Sequence, residues 1–441
     1  MLRSLALGLA AVVAFPAAAR AESWSLHILG DAQLAWTDNL FSAPSTPVAG
    51  APPRESDAYM QARPGAILMF ETPRSVHELQ YTFDASMYVN HTEAWSILQR
   101  AGWRGFFTVS PRGELNTDVS GSVGDATTLT TQAGADAGQA GIQRSGTVHV
   151  VQTSAAENYA YQASPALRLL QGGSIRYDKT DQNDTTSTGA EGSLRLGAER
   201  SWRQDALTGS VTTSYLVLTR PNGATESSDD QLNLHIDAAW RRDLSRTWTS
   251  VVDGGVVVIV PTGANSKGTI QPTIGGQLSY YPEWGTATFQ AHRSVLPNLF
   301  IAQNTLTDSA SASCWLPLPW LRDNPAEPRL TVQATLAGAR VQLIDTTQGS
   351  VVSGFSEVLG DVAVAWNVRQ ALGFAARYQF IHQGADTTAV NGLNGFNRST
   401  VMLTFYGRWP ERLAATVPVR QTLRVDRSNL TPIGDGAVQT P

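Results

Sequence analysis

Residues Glu78 to Asn90 read ELQYTFDASMYVN. Leu79, Tyr81, Phe83, Ala85, Met87 and Val89 are apolar, and Gln80, Thr82, Asp84, Ser86 and Asn90 lie between them. Successive side chains of a β-strand point to opposite faces, so this stretch is a strand with one greasy and one wet face. The same alternation returns at Gln231 to Arg241, Glu114 to Val123, Glu191 to Trp202 and Arg329 to Gly338.

A soluble β-sandwich alternates too, but three details favour a barrel that crosses a membrane. The runs are longer than the usual 5–6 residues of a strand, and a tilted strand needs about 9–11 to cross a bilayer. Aromatic residues gather near strand ends: Trp24 and Trp36, Tyr81 and Tyr88, Trp95 and Trp103, Trp202, Trp240 and Trp248, Tyr280 and Trp284, Trp315 and Trp320, Tyr406 and Trp409. Two interfacial girdles leave this trace. Connections also alternate between short, as at Pro111 to Gly113, Gln171 to Gly173 and Arg203-Gln204, and long and polar. The long ones include Pro44 to Arg54, Thr127 to Arg144, Asp178 to Ser187, Pro221 to Asp230 and Gly384 to Gly395.

The predicted strands start near residues 24, 56, 76, 96, 112, 157, 172, 188, 205, 231, 246, 266, 284, 300, 327, 355, 371 and 397. The expected fold is therefore all-β, a transmembrane antiparallel up-and-down barrel of about eighteen strands, sixteen being the other even count. The predicted barrel runs from residue 22 to 409. Met1 to Ala21 has Arg3, an apolar stretch from Leu5 to Phe15 and the small-residue pattern Ala19-Arg20-Ala21, and reads as a secretory signal peptide. Pro410 to Pro441, with four prolines, reads as a flexible periplasmic tail.

Composition excludes other classes. The net charge of −5 argues against a nucleic-acid binder working by phosphate neutralisation. A single cysteine, Cys314, cannot staple a disulfide scaffold or supply a multi-cysteine zinc site. Beyond residue 21 no run of eighteen apolar residues occurs, so membrane-spanning helices are not expected. The seven histidines form no HExxH, and no G-x-S-x-G elbow or phosphate-binding glycine loop is present. His235 near Asp237 reads as a lumen hydrogen-bond partner. We therefore expect no enzyme activity, no cofactor and no metal.

The wet faces supply the candidate lumen lining: Asp84, Asp118, Glu191, Arg195, Glu199, Asp237, Arg241, Arg329 and Arg377. Both charge signs occur among many amides and hydroxyls, which does not describe a simple ion-selective ring. The last predicted strand, Ser399 to Trp409, alternates Val401, Leu403, Phe405 and Trp409. An aromatic-ended final strand resembles the signal that outer-membrane assembly machinery reads.

Ala35 to Phe41 reads AWTDNLF. An aromatic, a spacer and then D-N-[IL]-F at the close of the first strand resembles a group of bacterial outer-membrane β-barrel proteins, many associated with exopolysaccharide synthesis and export. Pro64 opening a second strand, the alternation from Tyr81 to His91 and the turn at Ser110 to Gly113 continue the likeness over about the first 125 residues. Asp38 and Asn39 suit the end of strand one and the start of a long loop. The resemblance implies a barrel in the Gram-negative outer membrane, surrounded by its lipid. It also implies a conduit for a secreted polysaccharide, and a periplasmic polysaccharide export protein as partner. The barrel architecture alone equally suits a general or sugar-type porin. A third reading is a lipid-facing enzyme, which the missing nucleophile–base pair disfavours, or a structural, adhesive barrel, which the lack of a long repetitive passenger disfavours.

Overall fold

The computed structural model describes residues 23–45, 53–127, 147–182, 185–222, 225–262, 267–282, 284–298, 303–318, 330–345, 350–369, 371–385 and 395–410. The expected signal peptide and the tail after Pro410 lie outside the described residues.

Eighteen strands are present among the described residues: β1 (Ser23–Thr37), β2 (Asp57–Thr72), β3 (Ser75–Tyr88), β4 (Ser96–Ser110), β5 (Gly113–Thr127) and β6 (Thr147–Ser164). They continue with β7 (Leu167–Gln182), β8 (Thr185–Trp202), β9 (Asp205–Asn222), β10 (Thr225–Asp243), β11 (Trp248–Pro261) and β12 (Thr269–Tyr280). The last six are β13 (Thr286–Asn298), β14 (Gln303–Pro317), β15 (Leu330–Asp345), β16 (Ser350–Arg369), β17 (Leu372–Ala385) and β18 (Phe396–Trp409). Each strand pairs antiparallel with its neighbours in the chain, and β1 pairs with β18 from Ile28↔Trp409 to Thr37↔Thr400. The sheet thus closes on itself around the full circle of strands. Closure is what lets a sheet sit in hydrocarbon, where an unpaired N–H or C=O would find no water.

Register divides every strand into two faces, and the division is consistent around the whole circle. On β1 the even residues Trp24, Leu26, Ile28, Leu34 and Trp36 are exposed, while His27, Gln33, Ala35 and Thr37 on the other face are buried. The exposed face continues around the barrel through Ile175 (68 % exposed), Leu196 (56 %), Leu336 (62 %) and Leu403 (59 %). This is the outer face. Val401, Leu403, Phe405 and Trp409 of the final strand all lie on it, exposed.

The expected count of eighteen holds, but several boundaries differ. Gln171 to Gly173 is not a turn: it lies inside β7, and Pro165-Ala166 makes the connection. A Cβ on Gly172 would meet the Asn158 amide oxygen on β6 at 2.9 Å, so this glycine makes room for a neighbouring strand's side chain. The polar stretches Asp178 to Ser187 and Pro221 to Asp230 belong mostly to strands, and β6 starts at residue 147 rather than 157. The physical reason is length. Nineteen residues of β10 rise about 45 Å when tilted, against an apolar band about 25 Å tall. Above the membrane the ladder continues while its outer face meets water, so alternation in hydropathy stops before the strand does. Pro64 lies inside β2, at a gap in the β2–β3 ladder between Ala62↔Ala85 and Gly65↔Thr82, where its missing N–H is not needed.

The seam between first and last strands is locked at its loop end. Asp38 N donates to Ser399 O at 3.2 Å, and Ser399 N donates back to Asp38 Oδ1 at 2.7 Å. Asn39, with no exposed surface, donates from Nδ2 to Asn397 O and to Ala43 O, both at 2.9 Å, and accepts from Ala43 N at 2.7 Å. Leu40 packs with Ala35, Tyr59, Tyr88, Ala94 and Met402, with Phe41 against them. The D-N-L-F stretch is thus the clasp of the barrel.

Two outcomes follow. Leu196 sits six residues from Trp202, about 15 Å along the barrel axis and near mid-membrane. Leu196→Arg should cost about 2–4 kcal/mol in reversible urea unfolding in lipid vesicles, whereas Ser193→Arg on the opposite face should cost much less. Equal losses would mean the faces are reversed. Asn39→Ala removes three clasp hydrogen bonds and should cost about 2–3 kcal/mol in the same assay. An unchanged midpoint would show that the clasp does not hold the seam.

Candidate functional site on the inner face

The inner face is polar and its charges are largely paired. Arg63 Nε donates to Asp31 Oδ2 at 2.9 Å across β1 and β2. Gln61 Nε2 donates to Asp84 Oδ1 at 2.8 Å, and Arg100 stands 4.0 Å from the same carboxylate. Arg104 reaches Asp118 at 3.1 Å, Arg176 reaches Asp178 at 2.8 Å and Arg377 reaches Asp361 at 2.6 Å. Arg176 and Asp178 are next neighbours on one face of β7, and the other pairs join adjacent strands, where antiparallel register sets side chains on one face within reach of a cross-strand partner.

Of the candidate lining residues, Asp84, Asp118, Glu191, Arg195, Glu199, Asp237, Arg241 and Arg377 all occupy inner-face registers. Arg329 lies outside the described residues. Glu199 is set opposite Arg168, and Glu191 opposite Arg176. Arg195 and Arg241 make no ion pair among the described residues. The wall is not uniform. From Thr269 to Leu343, the inner-face positions of β12, β13, β14 and β15 carry no Asp, Glu, Lys or Arg. Sequence reasoning missed this sector, because it exists only once register has assigned Arg293, Asp308 and Arg340 to the other face. Trp315 is a second correction: the girdle pattern put it against lipid, but it pairs with Thr286 and Gln333 on the inner face.

The loop end of the barrel is narrowed from one side. β12 and β13 pair only from Ile274↔Arg293 to Tyr280↔Ala287. Beyond Arg293 the tops of β13, β14 and β15 turn inward. Val295, Leu306 and Ile344 occupy outer-face registers, yet they pack on Val257 and Ile259 of the inner face of β11. Asn304 Nδ2 donates to Gln231 Oε1 of β10 at 2.5 Å. At the fork, Arg293 holds Asp308 by two contacts, Nε to Oδ1 at 2.7 Å and Nη2 to Oδ2 at 2.9 Å, a charge-assisted pair of good geometry. Alternation cannot foresee this inward turn, since the period stays at two while the face it meets changes.

A polar knot sits beside the clasp. His91 presents Nδ1 to Asp57 Oδ2 at 2.8 Å and Nε2 to Glu55 Oε2, with Asn90 also bound to Asp57. The hydrogen bond that the His91 ring donates to the Asp57 carboxylate, aided by Glu55, raises the His91 pKa above the ordinary imidazole value. Among the described residues no group of three His, Cys, Asp or Glu side chains is placed to hold a metal ion.

No family model and no curated protein matches the chain. Among solved structures, OccAB3 of Acinetobacter baumannii is similar at 12 % identity and a TM-score of 0.46, covering 88 % of this chain and 100 % of that one. OprD of Pseudomonas aeruginosa gives 11 % identity and 0.44, covering 88 % and 96 %. The ferric-catecholate import receptor Fiu of E. coli K12 in its open form gives 8 % and 0.45, covering 87 % and 82 %. The closed ladder, the even strand number and the apolar outer face of the chain itself make it an integral β-barrel of the Gram-negative outer membrane.

The raised pKa of His91 ties the segment around Glu55 and Asp57 to pH. The contribution of His91 is fully present below the free imidazole value near ~6.5 and is lost as pH rises through the higher folded value. Hydrogen exchange at residues 53–57, corrected for intrinsic rates, should be slower at pH 6 than at pH 9, and His91→Gln should remove the difference. Equal protection at both pH values in the parent protein would sink this assignment.

Proposed function

We propose that the barrel is a conduit through which a secreted polysaccharide leaves the cell across the outer membrane. The observation that carries this reading is the chemistry of the inner face: a wall with charges of both signs, several of them paired across neighbouring strands, in a barrel of a size that leaves an aqueous interior. Such a wall holds water and offers hydroxyls and amides without a strong field of either sign, which suits a long hydrated chain. The resemblance of the first 125 residues points the same way. The clasp role of D-N-L-F means that this stretch itself contributes closure rather than recognition. A periplasmic polysaccharide export protein and the outer-membrane assembly machinery are the partners this reading calls for.

One observation favours a second reading, a porin for small solutes. The inturned tops of β13, β14 and β15 narrow the loop end, and a narrowed aqueous barrel sieves by size. Neither reading assigns catalysis to the wall.

Deletion of the gene separates the two. Under the conduit reading, surface and secreted polysaccharide fall to near zero and return on complementation, while uptake of small sugars is unchanged. Normal polysaccharide with slowed solute uptake would overturn the conduit in favour of the porin.

A further inference from the structure

The uncharged sector of the inner wall has the composition of a carbohydrate-binding surface. Register stacks it in three rows: Gln277, Gln290 and Ser311, then Thr288, Ser313 and Thr335, then Trp315 beside Gln333. Rows lie about 6.6 Å apart along the strands, and neighbours within a row about 4.8 Å apart. Gln290, Ser311, Ser313, Gln333 and Thr335 make no side-chain hydrogen bond among the described residues. Gln333 is exposed although it faces inward, so water reaches it. Elsewhere on the wall several polar groups are engaged with one another, as in Arg63 with Asp31, Gln61 with Asp84, Arg104 with Asp118 and Arg377 with Asp361.

We propose that β12 to β15 form a track for an uncharged polyhydroxylated chain, with Trp315 as its stacking platform at the end of the barrel that carries the termini. Free amides donate and accept at once, and free hydroxyls do the same, so they can exchange water for sugar hydroxyls with little net change. An indole face covers the apolar face of a sugar ring. An anionic polymer gains nothing from this sector, which offers no Arg or Lys and whose His292 stands beside the Asp253 carboxylate at 3.7 Å. Arg195 and Arg241, which make no ion pair among the described residues, lie on β8 and β10, outside the track. Many weak contacts in sequence also let a chain slide rather than stop. This inference rests on the conduit reading and narrows its cargo to neutral polysaccharide.

The test uses the purified full-length protein in planar bilayers, with maltohexaose as the neutral probe and hexagalacturonate as the anionic probe of equal length. Maltohexaose should interrupt the current, and Trp315→Ala should raise its half-blocking concentration roughly fivefold. A Gln290→Ala, Gln333→Ala double variant should act in the same direction, while Trp366→Ala on the outer face should not. Hexagalacturonate should block roughly tenfold more weakly. If the bilayers pass no current, calorimetric titration of the detergent-solubilised protein reads the same ratios. Equal affinity for the two probes, or a Trp315 variant indistinguishable from the parent, would overturn the track. That failure with a current still flowing leaves the conduit standing, whereas retained polysaccharide in the deletion strain removes the conduit itself.

Discussion

The obligation to pair every backbone N–H and C=O inside hydrocarbon governs this molecule. A sheet meets it only by closing, so β1 must find β18, and the register of that meeting fixes the facing of every side chain between. The outer apolar band, the paired inner charges and the clasp at Asp38 and Asn39 all follow from where the circle joins. Among the described residues the barrel carries small apolar clusters, the largest beside the clasp and beneath the inturned strands. Lipid on one side and water on the other take the place of a packed interior.

Where a strand faces both lipid and lumen, its sequence states the fold openly. Glu78 to Asn90 and Gln231 to Arg241 alternate because two different solvents act on alternate residues. The signal fades towards the outer ends of β6 and β9, where the inner face itself turns apolar: Val148 and Val150 pack with Leu98, and Leu216 with Leu218. Glycine misleads for a related reason. At Gly172 it marks crowding by the Asn158 side chain of the neighbouring strand, and the same residue type marks turns elsewhere.

The candidate site was legible as a set of residue types and not as an arrangement. Asp84, Asp118 and Arg377 could be placed on wet faces by parity, but their partners Gln61, Arg104 and Asp361 lie on neighbouring strands, at offsets set by turns. Trp315 shows the limit of parity from the other side. An aromatic at a strand end fits a girdle equally well whichever face it is on, and only pairing with Thr286 and Gln333 decides. The inward turn of β13 to β15 is set by tertiary packing on Val257 and Ile259, a contact no local pattern encodes.

The clasp has a consequence for how the chain folds. Seventeen of the eighteen strand pairings join neighbours in sequence, so each can form as a local hairpin with little loop-closure entropy. Only the pairing of β1 with β18 spans the whole chain, from Asp38 to Ser399. Until it forms, the growing sheet carries two raw edges able to recruit any passing strand. A polar clasp of reciprocal bonds, set at the first strand's far end, gives the correct edge a recognition mark that a foreign edge lacks. The hydrogen bonds that tie the motif at the close of the first strand to Asn397 and Ser399 therefore wait on residues that lie 358 and 361 positions further along the chain.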